Sequence, residues 1–221
     1  ASDVYKRQGV YPVLFDERIS SSLIGHLLAA TNGSSVARGT SWLLNSRGSV
    51  VLPENLSIIE NPHRRRVNSS RPFDAEGLET KIRKIVDHGI LCDWTTDLSS
   101  GRKLDLKSTG NATRGTGSIP VPSNWNISLT QGTKSQSELL KDMDCGVLVT
   151  SMIGSTINLN NGDYSRGASG FWIENGEVQH PISELTIAGN LNYMLKEIIP
   201  ANDARQHISR VVPSLLIDGM T

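Results

Sequence analysis

Cysteine is scarce in this sequence. Only Cys92 and Cys145 occur, far apart and outside any CxxC pair. That argues against a disulfide scaffold and for two free thiols in a reducing compartment. An excess of either charge is also missing, since 22 Lys+Arg balance 22 Asp+Glu. General binding to nucleic acid or to a membrane surface usually needs a basic excess, so both are disfavoured. No apolar run approaches the roughly 18 residues that cross a bilayer, and no secretory signal opens the chain. A soluble, cytoplasmic protein is expected. Aromatics are few, at 5%, yet the remaining composition is that of a globular domain.

Local signatures of catalysis are missing too. The five histidines, His26, His63, His88, His180 and His207, include no pair at the i, i+4 spacing that puts two imidazoles on one helix face. There is no HExxH and no close carboxylate–His pair. A zinc site assembled from distant positions stays open. Gly167-Ala168-Ser169-Gly170 matches a nucleophile elbow in letters only. It precedes a hairpin, where small residues let backbones approach. Gly115 and Gly117 offer backbone N–H groups to an anion, or simply a flexible loop. The run His63-Arg64-Arg65-Arg66 with Arg71 could meet phosphates, but no aromatic stacking platform accompanies it. A solvated or subunit-facing loop is the simpler reading. No catalytic residue and no metal ligand is therefore assigned.

What is present is a series of short apolar segments. YPVLF, residues 11–15, reads as a strand, and Asp16 as the cap of a helix whose face is Ile19, Leu23, Ile24, Leu27 and Leu28. Asn32-Gly33 is expected to stop that helix. Strands are predicted over 49–52, 56–60, 90–95, 125–129, 146–152 and 182–187. Asp74 is expected to open a second helix with a face of Leu78, Ile82, Ile85 and Val86, ended by His88-Gly89. Residues 99–124 show no convincing element. Ser135 to Glu138 matches a capping box. Asn175-Gly176 predicts a two-residue hairpin turn that places Ile173 opposite Val178 and Glu174 opposite Glu177. Asn190 should cap a last helix through Ile198, stopped by Pro200. Many strands, few helices and no βαβ rhythm predict an α+β fold with a large mixed or mostly antiparallel sheet. Residues 1–8 carry no pattern and are read as a non-native leader. The end at Ile217 to Thr221 falls inside a strand, so the chain is read as a fragment whose folded part is 9–221.

Asp163-Tyr164-Ser165-Arg166 differs in kind from these segments. It concentrates a carboxylate, a phenol, a hydroxyl and a guanidinium between two glycines. Arginine can hold a carboxylate bidentately, and tyrosine supplies contact area with a hydrogen bond. A polar loop with an internal Asp–Arg pair accounts for the same residues equally well.

Several blocks together resemble the TldD/PmbA family: YPVLFD at 11–16, ARGTSW at 37–42, NPHRRRVNSSRPFDAEG at 61–77, STGNATRGTG at 108–117, and GDYSRGASGFWIENGE with TIAGNL. The resemblance covers nearly the whole chain and is to the family's C-terminal domain, of the TldE/PmbA type. The family's N-terminal α/β region has no counterpart here. In the catalytic branch, a helix shortly before RGTS carries a zinc-binding HExxxH motif. Counted back from Arg38, its ligand positions fall on Ile24 and Ala29 and its glutamate on Gly25. His26 is one residue off that glutamate position. The resemblance thus implies a non-catalytic subunit without cofactor. Its TldD-type partner would hold zinc and cleave unfolded peptides, and this chain would help to form the chamber and hold substrate. The candidate substrate- or partner-facing residues are Asp163, Tyr164, Ser165, Arg166, Arg38 and Thr40. A regulatory module of the kind named modulator of DNA gyrase is the alternative, and an independent hydrolase a third.

Overall fold

The computed structural model describes residues 9–220, apart from the side chains of Ser155 and Thr156. The expected leader, residues 1–8, lies outside that range. In chain order the elements are β1 (Tyr11–Phe15), α1 (Glu17–Ala30), α2 (Gly33–Ala37), β2 (Ile58–Glu60), β3 (Arg83–Asp87), β4 (Ile90–Leu91) and α3 (Leu98–Lys103). There follow β5 (Ala112–Thr113), β6 (Val121–Pro122), β7 (Ile127–Leu129), α4 (Gln136–Met143), β8 (Gly146–Ile157), β9 (Asp163–Glu174) and β10 (Glu177–Asn190). The chain closes with α5 (Leu191–Met194), β11 (Ile199–Pro200), β12 (Arg210–Val211) and β13 (Leu215–Met220).

A six-stranded sheet runs in the order β10-β9-β8-β1-β13-β11, with β1 parallel to β8 and the other neighbours antiparallel. A five-stranded sheet, β12-β7-β2-β3-β4, and the small β5–β6 pair complete the mixed α+β architecture. Side chains alternate across a pleat, and this alternation sorts the large sheet into two cores. Val13, Phe15, Val147, Val149, Trp172, Leu215 and Ile217 point to one face, where they pack with α1 and the five-stranded sheet. Leu14, Leu148, Ile173 and Leu216 point to the other, under Leu139, Leu140 and Met143 of α4. The central strands are apolar on both faces for that reason. The GASG letters serve the same sheet. A Cβ at Gly170 would run into the Leu148 carbonyl oxygen of the neighbouring strand.

Several local signals act as their chemistry requires. Asp16 accepts the Arg18 N–H at 3.1 Å and caps α1. Ser135 and Glu138 form the reciprocal box that opens α4. Asn175 and Gly176 turn β9 into β10 with φ of 56° and 71°, and Glu174 pairs Glu177 as Ile173 pairs Val178.

Other expectations are corrected. Asp74 opens no helix. Its buried carboxylate accepts from the N–H groups of Glu76, Leu78 and Ala112, which folds the chain into a closed loop. Gly77 at φ 78° then breaks any helical path. Residues 83–87 are strand β3, and His88-Gly89 is its hairpin turn to β4, not a helix stop. The apolar spacing fitted both periods, and the β-branched residues settle in the sheet. Gly33 does not end α1. Thr31 does, and Asn32 caps α2, with Gly33 pressed against the Thr95 carbonyl. Residues 49–52 contribute only an isolated bridge, Val50 to Ile90, and β4 stops at Leu91. Residues 99–124 are not structureless, since they include most of α3 together with β5 and β6. The strand expected over 182–187 is part of the longer β10, and α5 ends at Met194, well before Pro200.

One buried acid ties these parts together. Glu60, 1% exposed, accepts from Arg83 Nε at 2.6 Å, the Trp125 N–H at 2.6 Å and Asn111 Nδ2 at 3.0 Å. Arg83 and Asn124 both continue to the Thr95 hydroxyl. The Thr95 backbone bonds Thr31 and Gly33 at the junction of α1 and α2. Removing Glu60 leaves a buried guanidinium unpaired. Glu60→Ala is expected to cost about 3–5 kcal/mol of unfolding free energy, read as a lowered urea midpoint. A loss below about 1 kcal/mol would show that water replaces the acid.

Candidate functional site

The RGTSW segment is shaped first by the needs of two helix ends. α2 finishes with Gly39 at φ 73°. The Gly39 N–H reaches the Val36 carbonyl at 2.9 Å and the Thr40 N–H reaches Ser35 at 3.0 Å, a glycine-dependent closure of the last turn. The Thr40 hydroxyl adds a bond to the same Ser35 carbonyl. Buried Ser41 donates to the Ala30 carbonyl at 2.6 Å, satisfying the end of α1. Arg38 is left exposed at the C-terminus of α2. Trp42 then lies on the start of β9, its ring 3.4 Å from where a Gly162 Cβ would stand. The structure therefore brings Trp42 to the beginning of the Asp163–Arg166 segment.

That segment is not a polar loop but the first residues of β9. Its pleat splits the four residues between two faces. Asp163 is exposed and accepts from Asn161 Nδ2 at 2.7 Å and Asn190 Nδ2 at 2.9 Å. It makes no internal pair with Arg166. Tyr164 is buried, and its hydroxyl donates to Met152 Sδ at 3.3 Å. Ser165 is half-buried and leaves the core with Asp163. Arg166 shares the inward side with Tyr164 and is half-buried.

His26 of α1 meets this inward side. Its ring lies 6.0 Å from that of Tyr164, edge to face at 63°. Burial, aided by the nearby Arg166 charge, pushes the His26 pKa down to about 4. Burial pushes the Tyr164 phenol up to about 12, against the pull of Arg166. At neutral pH the only formal charge in this trio is the Arg166 guanidinium. Seven polar side-chain atoms closed off from solvent have no hydrogen-bond partner among the described residues. Arg71 Nε, Arg83 Nη1 and Asn126 Oδ1 lie elsewhere, and the other four are Ser22 Oγ, His26 Nε2, Trp42 Nε1 and Arg166 Nε. All four belong to α1, the RGTSW segment or β9.

Sequence reasoning missed Ser22, His26 and Trp42 as members of this site. The available signal was a polar stripe, Ser22, Gly25 and His26, running beside the apolar face of α1. Ile24 and Ala29 do not converge. Ile24 is buried in the core and Ala29 is exposed, and neither hydrocarbon side chain can bind a metal. Among the described residues, no cluster of three or more His, Cys, Asp or Glu could hold one. The basic loop at 63–71 is divided, with Arg65 and Arg66 exposed and Arg64 and Arg71 committed inside the fold. Arg64 donates to the Ile208 carbonyl at 2.9 Å and to that of Gln206, and Arg71 stacks 3.8 Å over the Trp125 ring. The aromatic platform is thus present, but Arg71 itself occupies it.

His26 gives a pH test. Its folded pKa lies below the unfolded value near 6.5, so the unfolded chain binds the proton more readily. Its contribution to stability is full above 6.5 and is lost as pH falls towards about 4. Comparing urea midpoints across that window should show a slope that His26→Gln flattens. A His26 ring titrating near 6.5 by NMR would contradict the buried, cation-flanked environment.

Residues 8–221 match the PmbA/TldA metallopeptidase C-terminal domain. The chain is 44% identical over 212 residues to the metalloprotease PmbA homolog of Haemophilus influenzae, covering 95% of this chain and 45% of that protein. It is 26% identical over 201 residues to a metalloprotease TldD homolog of Buchnera aphidicola, covering 88% and 41%. A candidate modulator of DNA gyrase from Bacteroides thetaiotaomicron superposes with a TM-score of 0.88 at 30% identity, over 97% of this chain and 47% of that one. The chain spans somewhat less than half the length of the curated relatives it matches. No helix among the described residues is long and apolar enough to cross a membrane. By sequence profile, by identity and by fold, the chain belongs to the PmbA/TldD metallopeptidase family, of which it comprises the C-terminal domain.

Proposed function

We propose that this chain acts as a TldE/PmbA-type subunit, without its own zinc, in a two-subunit metallopeptidase that degrades or processes unfolded peptides. One observation carries the reading. The positions that correspond to the zinc ligands of the catalytic branch are Ile24 and Ala29, which cannot ligate, while a polar surface of His26, Trp42, Tyr164 and Arg166 has formed beside them. The greater identity to PmbA-type than to TldD-type relatives supports it. Catalysis is then left to a TldD-type partner holding zinc in an HExxxH site. The contribution of this chain is to enclose and to hold. Half-buried Arg166 faces the peptide path with buried Tyr164 packed behind it, whereas Asp163, Ser165 and exposed Arg38 are placed to meet the partner. Thr40 contributes by fixing the end of α2 that presents Arg38. Peptide in such a channel would bind as an added strand, through main-chain hydrogen bonds that tolerate many sequences. The assembly is assigned to the cytoplasm.

Co-expression of the full-length protein with its HExxxH-bearing relative tests this. A stable complex is expected, with about one zinc confined to the relative. Arg166→Ala should lower kcat/KM for an unfolded peptide by about tenfold or more. Zinc bound by this chain, or unchanged assembly and cleavage in Arg166→Ala, would sink the proposal. The gyrase-modulator reading draws on the Arg64–Arg66 loop, where Arg64 is already spent on carbonyls. Gel-shift assays at low salt are expected to show no DNA binding.

A further inference from the structure

α1 presents a half-buried stripe of Ser22, Gly25 and His26 beside its core face. Ser22 Oγ and His26 Nε2 are closed off from solvent with nothing to bond among the described residues. Arg166 stands by His26 and Tyr164, with its Nε equally unpartnered. No carboxylate among the described residues forms an ion pair with it, although it is half-buried. A second guanidinium approaches the same stripe from β12. Arg210 Nη1 lies 3.1 Å from where a Gly25 Cβ would stand, and Arg210 likewise has neither an ion pair nor a hydrogen bond within the described fold.

The chemistry of this stripe is one-sided. It holds two permanent cations, a hydroxyl and an uncharged imidazole, with no anion to balance them. Arg71 Nε and Arg83 Nη1 are also unbonded among the described residues, but Arg83 has the Glu60 carboxylate, Arg71 the face of the Trp125 ring and Arg64 two backbone carbonyls. Uncompensated buried donors are costly unless a ligand completes them. Gly25 carries no side chain, which lets the Arg210 guanidinium lie against the helix, where it can meet a flat, two-oxygen group. A guanidinium fork matches such a group with two parallel hydrogen bonds.

We propose that the Ser22–Gly25–His26 stripe, flanked by Arg166 and Arg210, is a carboxylate-binding subsite that anchors an acidic group of a bound peptide. The group is either the peptide's C-terminal carboxylate or an Asp or Glu side chain. This rests on the reading that the Tyr164–Arg166 face meets peptide, and adds that the peptide is held by its charge. Arg166 supplies the bidentate contact, Arg210 the second charge at the exposed rim, and Ser22 and His26 the hydrogen bonds that fix orientation.

The test titrates the full-length protein, without its partner, with acetyl-trialanine as the free acid, the same peptide as its amide, acetyl-Ala-Glu-Ala-amide and inorganic phosphate, following the His26 ring by NMR. The free acid should bind about 10- to 100-fold more tightly than the amide, the range expected for losing a charged hydrogen-bond pair. Binding of acetyl-Ala-Glu-Ala-amide equal to that of the free acid would assign the site to either carboxylate, and its absence to the C-terminus. Arg166→Gln should abolish the preference and Arg166→Lys should retain part of it. Should Arg166→Gln fail to fold, the exposed Arg210→Gln carries the test and should weaken the free acid several-fold. Equal binding of acid and amide, no binding of any peptide, or phosphate binding as tightly as the free acid would each overturn the subsite. The subunit proposal would survive any of these results, because it is judged by assembly, by the location of zinc and by peptide cleavage in the assembled enzyme.

Discussion

The buried carboxylate of Glu60 is the interaction through which the rest of this structure is held in register. It sits on β2, yet its partners come from β3, from the segment leading into β7 and from the Asn111 loop. Through Arg83 and Asn124 it reaches Thr95, and through the Thr95 backbone the junction of α1 with α2. A buried acid is favourable only when its lone pairs are all met by good donors. That requirement leaves few arrangements of the surrounding segments, so five parts of the chain are located by one side chain. The end of α1 and the start of α2 are thereby placed, and with them the RGTSW turn that carries Trp42 to β9.

The large sheet does the complementary work. Its central strands alternate two sets of apolar residues, and the pleat sends one set under α4 and the other under α1. α1 is consequently pinned along its Leu23, Ile24, Leu27 and Leu28 side, which turns His26 towards Tyr164 of β9 and Gly25 towards Arg210 of β12. The polar surface beside β9 is thus a by-product of core packing. The helix cannot rotate to hide its polar stripe without exposing four large aliphatic side chains, at roughly 1.5–3 kcal/mol each.

Legibility in the sequence followed the range of the interactions. Asn175-Gly176 announced its hairpin, with the correct facing pairs, because a left-handed two-residue turn is encoded by those two residues alone. Ser135 to Glu138 announced α4 because both halves of a capping box lie within four residues. The stretch from Asp74 to Gly89 was misread because its apolar spacing suits a helix as well as a strand. Its fate is decided by bonds from Asp74 to Ala112 and by pairing with β2. The blocks resembling the family were legible as words, but their physical roles were not. Arg38-Gly39-Thr40 resolves into a helix terminator, and the Asp163–Arg166 run into a strand whose residues face two ways.

By itself, then, the sequence determined the family, the α+β class, the turns and caps that act within a few residues, and the lack of any local metal-ligand pair. Those depend on residue types at short spacing, which the chain states directly. Only the tertiary structure decided that His26 would lie against Tyr164 and Arg166, and that Arg210 would cover Gly25. Only it decided that Tyr164 and Asp163, adjacent in the chain, would part between core and surface. These meetings join residues far apart in sequence through strand pairing and two packed cores, and no spacing along the chain records them. The physical reason is that burial is collective: a side chain's environment is set by every element that closes over it.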